Sequence, residues 1–212
     1  MEKEKTASLD VDAQQGFTPL CPKEFPVLDG DKIVDELNSQ AEFAKFRIFS
    51  KDWHNRNALW IANSNHPQYE KLDLPNADIR WNEHCIGGTK GAELIHGLPK
   101  IDDYDFGVYK GMEKNMHPYG ACYQDLGNKV STGLIEWLRY NKIENVIVGG
   151  LALEYSVKST VMQLIDSNFK VILNVSATKG IDPHGLKDTI NEMKIAGAII
   201  IKDFSYLKNI LI

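Results

Sequence analysis

Two rhythms of apolar residues alternate along the chain. Ala7-Ser-Leu-Asp-Val-Asp12, Phe46-Arg-Ile-Phe-Ser50, Phe106-Gly-Val-Tyr-Lys110, Asn145-Val-Ile-Val-Gly-Gly150, Lys170-Val-Ile-Leu-Asn-Val175 and Ala198-Ile-Ile-Ile201 have the length and the β-branched content of buried strands. Between them, residues 31–46, 131–142, 156–168 and 186–196 repeat apolar positions near every 3.6 residues, as amphipathic helices do. Ile33, Val34, Leu37 and Ala41 mark the first of these, with Asp31 placed to cap its start. Leu134, Ile135 and Leu138 mark the second; Val157, Val161, Leu164 and Ile165 mark the third. Short strands alternating with helices predict an α/β fold. It is a three-layer α/β/α sandwich around a mostly parallel sheet of about six strands. Residues 55–99 show neither rhythm and are rich in Asn, Pro, Gly and His; an irregular stretch of that length is expected to be functional. No repeat, low-complexity tract or linker interrupts the pattern, so residues 1–212 read as a single domain.

Composition narrows the classes. The 212 residues carry 24 Lys+Arg against 29 Asp+Glu, a net charge of −5, which excludes nucleic-acid binding through bulk positive charge. At 43% apolar and 25% charged residues the chain can bury a core, which excludes wholesale disorder. No run approaches 18 apolar residues, so no membrane span is expected. The charged start, Met1-Glu-Lys-Glu-Lys5, has no apolar region of the signal-peptide kind. Cys21, Cys85 and Cys122 form no C-x-x-C pair and read as reduced thiols, which predicts a cytoplasmic protein. The apolar end, Leu207 to Ile212, is expected to pack on the body or on a partner subunit.

The chemistry concentrates at the strand ends. In a parallel α/β sheet, right-handed crossovers bring the carboxyl ends of the strands to one edge, where the ligand crevice lies. Asp12 follows the first strand, Asp52 and His54 the second, Lys110 ends the third, and Ser156 follows the fourth after Gly149-Gly150-Leu151-Ala152. Taken singly, an Asp after a strand is ordinarily a turn former, a Lys before Gly ordinarily surface, and a Ser opening a helix ordinarily a cap. Brought to one crevice they make an activated-nucleophile site. A carboxylate takes the proton of the nucleophile, an ammonium stabilises the anion, and N–H groups at Ala152 and Ser156 face a tetrahedral oxyanion. No G-x-S-x-G is present, which argues against an ordinary serine hydrolase.

The order and spacing of these residues resemble a known family. Asp12-Ala-Gln-Gln-Gly-Phe17, Asp52-Trp-His54, Trp81-Asn-Glu-His-Cys85 with Gly88-Thr-Lys-Gly-Ala92, Lys110-Gly111, Tyr119-Gly-Ala-Cys122 and Gly150-Leu-Ala-Leu-Glu-Tyr-Ser-Val157 follow one another as in the nicotinamidase (pyrazinamidase) branch of the isochorismatase-like cysteine hydrolases. The similarity runs from about Ser8 to Gly180. It implies hydrolysis of nicotinamide, or a similar small amide, to nicotinate and ammonia, a step of NAD salvage. The implied Asp-Lys-Cys triad falls on Asp12, Lys110 and position 156. The implied aromatic substrate cage falls on Phe17, Trp81, Tyr119 and Tyr155. The implied divalent metal, zinc with manganese or iron as alternatives, falls on Asp52, His54 and His84. The resemblance also implies a cis peptide between Leu151 and Ala152 and a homo-oligomer.

Four positions depart from that pattern. The nucleophile position holds Ser156, so little or no turnover is expected, because a hydroxyl ionises far less readily than a thiol (pKa about 8.5). Such a serine is either an isosteric change that traps substrate or the natural residue of a protein that binds without turnover. Cys85 and Cys122 align with other roles and are poor replacements. Ala58 stands where the family usually carries another metal-binding His, which predicts weaker metal affinity. Gly16 and Glu154 stand where the family has Asp. His96, His117 and His184 are expected to be surface or hydrogen-bonding residues. Two alternatives remain open from the sequence. One is a related hydrolase of another small substrate; the other is a non-catalytic binding protein on the same fold.

Overall fold

In the computed structural model, which describes residues 1–182 and 185–210, six strands form one parallel sheet. They are β1 (Thr6–Val11), β2 (Phe46–Asp52), β5 (Phe106–Lys110), β6 (Asn145–Gly150), β7 (Lys170–Thr178) and β8 (Ile199–Ile201), in the spatial order β5-β2-β1-β6-β7-β8. The chain fills the sheet outward from β1 to one side, then returns to fill the other. The reversal lies between β1 and β6, where Val11 faces Gly150 across the ladder. That is the switch point at which such sheets bind ligands.

Alternate residues of each central strand feed opposite layers. Val146, Val148, Val171 and Leu173 enter a core closed by α2 (Leu134–Tyr140), α3 (Lys158–Asp166) and Met193 of α4 (Leu186–Ala196). Ile147 and Ile172 point the other way, against Leu207 in the turns Phe204–Asn209. On that face Gln40 of α1 (Val34–Ala41) donates to Ser8 Oγ at 3.3 Å. The described part of the apolar chain end thus packs on the body; Leu211 and Ile212, like His184, lie outside the described residues. No helix among the described residues is long and apolar enough to cross a membrane.

Three local expectations change. Residues 30–33 form a tight 3-10 turn and α1 begins only at Val34, so Asp31 does not cap it. The stretch 55–99 is not wholly irregular: β3 (Lys71–Leu74) and β4 (Ala77–Ile79) pair as a short antiparallel hairpin. Ser156 does not open a helix but lies in a π turn, Leu153–Val157, in which Val157 N–H reaches Ala152 O at 3.2 Å. That wider turn sets Ser156 ahead of α3 rather than within its ladder.

The strand end before this turn requires glycine. Gly150 has φ 131, and a side chain there would overlap the backbone of Val11. Gly150→Ala is therefore expected to lower stability by about 2–4 kcal/mol, from forced left-handed backbone and overpacking together. Denaturant unfolding measures this; an unchanged midpoint would show that the β1–β6 junction tolerates a side chain.

Candidate active site

Three strand ends place three charges in contact. Asp52 and Lys110 face each other in the β2–β5 ladder, and Asp12 follows β1 with φ 44. The Lys110 ammonium lies 2.8 Å from Asp12 Oδ2 and 2.5 Å from Asp52 Oδ1, and all three residues are buried. Backbone and neutral side chains lock the carboxylates. Ser50 Oγ donates to Asp12 Oδ1 at 2.6 Å, and the Asp12 N–H is held by Ser50 O at 3.0 Å. The Gln14 amide clamps Asp52 from both sides, accepting its N–H at 2.7 Å and donating to its carbonyl at 2.8 Å.

The two carboxylates, though neighbours, are driven apart in acidity. Burial would raise Asp52, but the Lys110 ammonium and His54 outweigh it and hold its carboxyl well below the ordinary range. Burial dominates at Asp12 and, with the charge of Asp52, raises its carboxyl despite Lys110. Burial works against the Lys110 charge too, yet the two carboxylates win and raise its pKa. Two anions and one cation leave a net negative charge, so Asp12 is the group with proton affinity to use.

Beside this cluster opens a cleft with about 300 Å³ of empty space, mouth included. Phe17, Trp81, Tyr119 and Tyr155 line it with Asp52, Ala152 and Ser156, so the expected aromatic and elbow residues share one pocket. Trp81 packs edge-on against Tyr155 at 4.9 Å and donates through Nε1 to Tyr119 Oη at 3.3 Å. The Leu151–Ala152 peptide is cis, and the Ala152 N–H makes no hydrogen bond among the described residues. Asp12 and Lys110 are not among the lining residues; Lys110 contacts the lining residue Asp52, and Asp12 contacts Lys110. Phe25 and Ile181 also line it and carry no motif that would have marked them.

The far wall holds a group of imidazoles. His54, His84 and His117 bring ring nitrogens within 4.8 Å of one another, all buried. His84 Nδ1 donates to Asn82 O at 2.6 Å and His54 Nδ1 to Gly111 O at 3.1 Å, which turns both Nε2 atoms inward. His54 Nε2 lies 3.4 Å from Asp52 Oδ2. Burial, then the charge of His54, drops the His84 pKa to about 3, leaving a neutral ring whose lone pair is open to a cation. His117 overturns its expectation as a surface or hydrogen-bonding residue. It is 4% exposed, and neither ring nitrogen has a hydrogen-bond partner among the described residues. The reason is local: Trp60 Nε1 holds Met116 O at 2.9 Å and Asn76 O takes the His117 N–H at 2.7 Å, turning the loop inward. His96 is exposed as expected, and His66 is held at the surface by Glu70 at 2.9 Å.

The remaining departures acquire spatial partners. A side chain at Gly16 or Gly91 would overlap the Glu24 carboxylate, which fills that space and accepts the Cys85 N–H at 2.8 Å. Glu154 accepts the N–H groups of Ile181 at 3.1 Å and Asp182 at 2.9 Å, tying the loop after β7 to the cleft. Gly16→Asp alone is expected to cost about 1–3 kcal/mol by collision with Glu24. Adding Glu24→Ala should recover part of it, a coupling of about 0.5 kcal/mol or more in a double-mutant cycle. Strictly additive losses would show that the two positions do not compete for one space.

The isochorismatase domain family matches residues 6–203. The chain is similar to the nicotinamidase of Escherichia coli (strain K12), 31% identical over 182 residues covering 82% of this chain and 84% of that one. Its fold superposes on that of an Acinetobacter baumanii nicotinamidase/pyrazinamidase with a TM-score of 0.87, 27% identity and full coverage of both chains. It also superposes on the pyrazinamidase of Pyrococcus horikoshii, solved in complex with zinc, with a TM-score of 0.74, 28% identity and coverage of 93% and 98%. The chain therefore belongs to the isochorismatase domain family, in its nicotinamidase branch.

Proposed function

We propose that the cleft binds nicotinamide or a similar small aromatic amide and hydrolyses it to the acid and ammonia, with Asp12, Lys110 and Ser156 as the catalytic group. The observation that carries this reading is the buried Asp12–Lys110–Asp52 cluster behind a small aromatic pocket that Ser156 lines. The ring lies among Phe17, Trp81, Tyr119 and Tyr155, with the carboxamide toward residue 156. Asp12 takes the proton of the nucleophile as its oxygen attacks the carbonyl carbon, and the Lys110 ammonium offsets the charge that moves. The N–H groups of Ala152 and Ser156 receive the oxyanion. Asp12 then returns the proton to the departing nitrogen, ammonia leaves, and water releases the acid by the reverse sequence.

The residues beside the pocket fit a divalent ion: His54 Nε2 is buried without a hydrogen bond, His84 is neutral, and Asp52 supplies a carboxylate oxygen. His54, His84 and Asp52 would hold it, and its service would be to fix a pyridine nitrogen. Zinc suits imidazole donors; manganese and iron are the alternatives.

A serine at position 156 makes this a slow catalyst at best. Ser156→Cys is expected to raise ammonia release from nicotinamide by about 100-fold or more, since a thiol lies within reach of a carboxylate base and a hydroxyl does not. A Cys form that binds nicotinamide in calorimetry yet releases no ammonia would favour the binding-protein reading. The pH profile of the Cys form is a second check. Asp12 must be ionised to act, and its pKa is raised by burial. The acid limb of kcat/KM is therefore expected above the ordinary Asp value of 3.8, with activity lost as pH falls through it. An acid limb at or below that value would remove Asp12 as the base.

A further inference from the structure

Three buried imidazoles whose nitrogens converge on one point, two of them anchored by backbone carbonyls, are more than a His-His-Asp set requires. Three imidazoles bound tetrahedrally through nitrogens about 2.05 Å from a zinc ion would have ring centres about 5.2 Å apart. The His54–His84, His54–His117 and His84–His117 centres lie 4.9, 5.0 and 5.5 Å apart. His117 is also the one of the three with both nitrogens buried and unsatisfied among the described residues. Buried polar atoms rarely remain so without a partner, and a ring turned inward from a loop with no mate is otherwise a net loss. Trp60 backs the arrangement, its ring 4.6 Å from His54, 5.4 Å from His84 and 4.5 Å from His117, and excludes water from that side.

We propose that His117 is a ligand of the divalent ion. The centre then contains three imidazoles, and His117 supplies from the loop after β5 the ring that position 58 lacks. This rests on the reading above that an ion binds beside the cleft, and it adds a consequence. Asp52 Oδ1 is already taken by Lys110. The donors offered to the ion are therefore dominated by neutral nitrogen, which favours zinc over the oxygen-preferring manganese. The weak affinity expected from Ala58 does not follow.

The test begins with the chelator-stripped full chain, loaded with zinc and examined by X-ray absorption. Three imidazoles in the zinc shell are expected; two would overturn the proposal while leaving the ion itself in place. Failure of zinc to bind at all would overturn both this proposal and the metal reading beneath it. In parallel, His117→Ala is expected to weaken zinc binding at least about 30-fold in chelator competition and to narrow the zinc-over-manganese preference. It should also change the visible spectrum of the cobalt-substituted protein. His96→Ala, at an exposed position, should change none of these. Folding of each variant is read by circular dichroism, and the count of imidazoles in the unsubstituted chain decides the matter should His117→Ala fail to fold. Unaltered zinc affinity and cobalt spectrum in a folded His117→Ala would equally overturn it.

Discussion

The Lys110 ammonium, sealed from water between two carboxylates, is the constraint around which the site is arranged. Taking three charges out of water is costly, and the attraction between them compensates only where geometry is held. Here the holding is covalent and topological. Asp12, Asp52 and Lys110 leave three adjacent parallel strands at the same edge, so the order β5-β2-β1 itself sets their spacing. Ser50 and Gln14 complete it, one on the Asp12 carboxylate and one on the Asp52 backbone. The product is asymmetry: burial and the charge of Asp52 push Asp12 toward the proton against the pull of Lys110, while the same lysine, with His54, wins over burial at Asp52 and drives it the other way.

Around that fixed cluster, other groups reach the site from distant parts of the chain. Glu24 occupies the volume that opens when position 16 is glycine, and its carboxylate holds the Cys85 N–H immediately after His84. A change in the first loop is thereby transmitted to the backbone that carries an imidazole. His117 enters from the opposite direction, on a loop whose residues 112–115 are exposed and whose inward turn depends on Trp60 and Asn76. Both groups show how a pocket wall can be completed by side chains with no fixed spacing from the residues they support.

That explains which features the sequence makes legible. The strand at residues 106–110, the strand at 145–150 and the helix at 186–196 occupy the expected spans, because buried β-branched runs and an amphipathic repeat ending before Gly197 are local signals. The contact of Asp12, Asp52 and Lys110 is legible because strand ends must converge. Helix starts are less so. Residues 30–33 and 153–157 have helical composition but adopt tighter and wider turns, a choice made by backbone contacts to Val27 and Ala152. His117 and Phe25 are illegible for a different reason. A histidine between Met116 and Pro118 has no period or motif, and its burial depends on tryptophan and asparagine residues some 40–57 positions away.

On the proposed reading, the serine at position 156 isolates one chemical variable. Hydroxyl and thiol are close in shape, so the π turn, the cis junction and the aromatic walls do not depend on which is present. What differs is the work of removing a proton, about 1.4 kcal/mol for each unit by which the nucleophile's pKa exceeds that of its base. Burial raises Asp12, but the neighbouring ammonium limits how far; were Asp12 the base, the cation that would stabilise an anionic nucleophile would also stabilise the anionic base. Nor can another sulfur substitute. Cys85 is fully buried with its thiol pushed well up by burial, and burial carries Cys122 to about 12. On the proposed reading, electrostatics suited to a thiol would leave a hydroxyl short of ionisation, and the same compensation between base and nucleophile would prevent the cluster from closing that gap by stronger pairing.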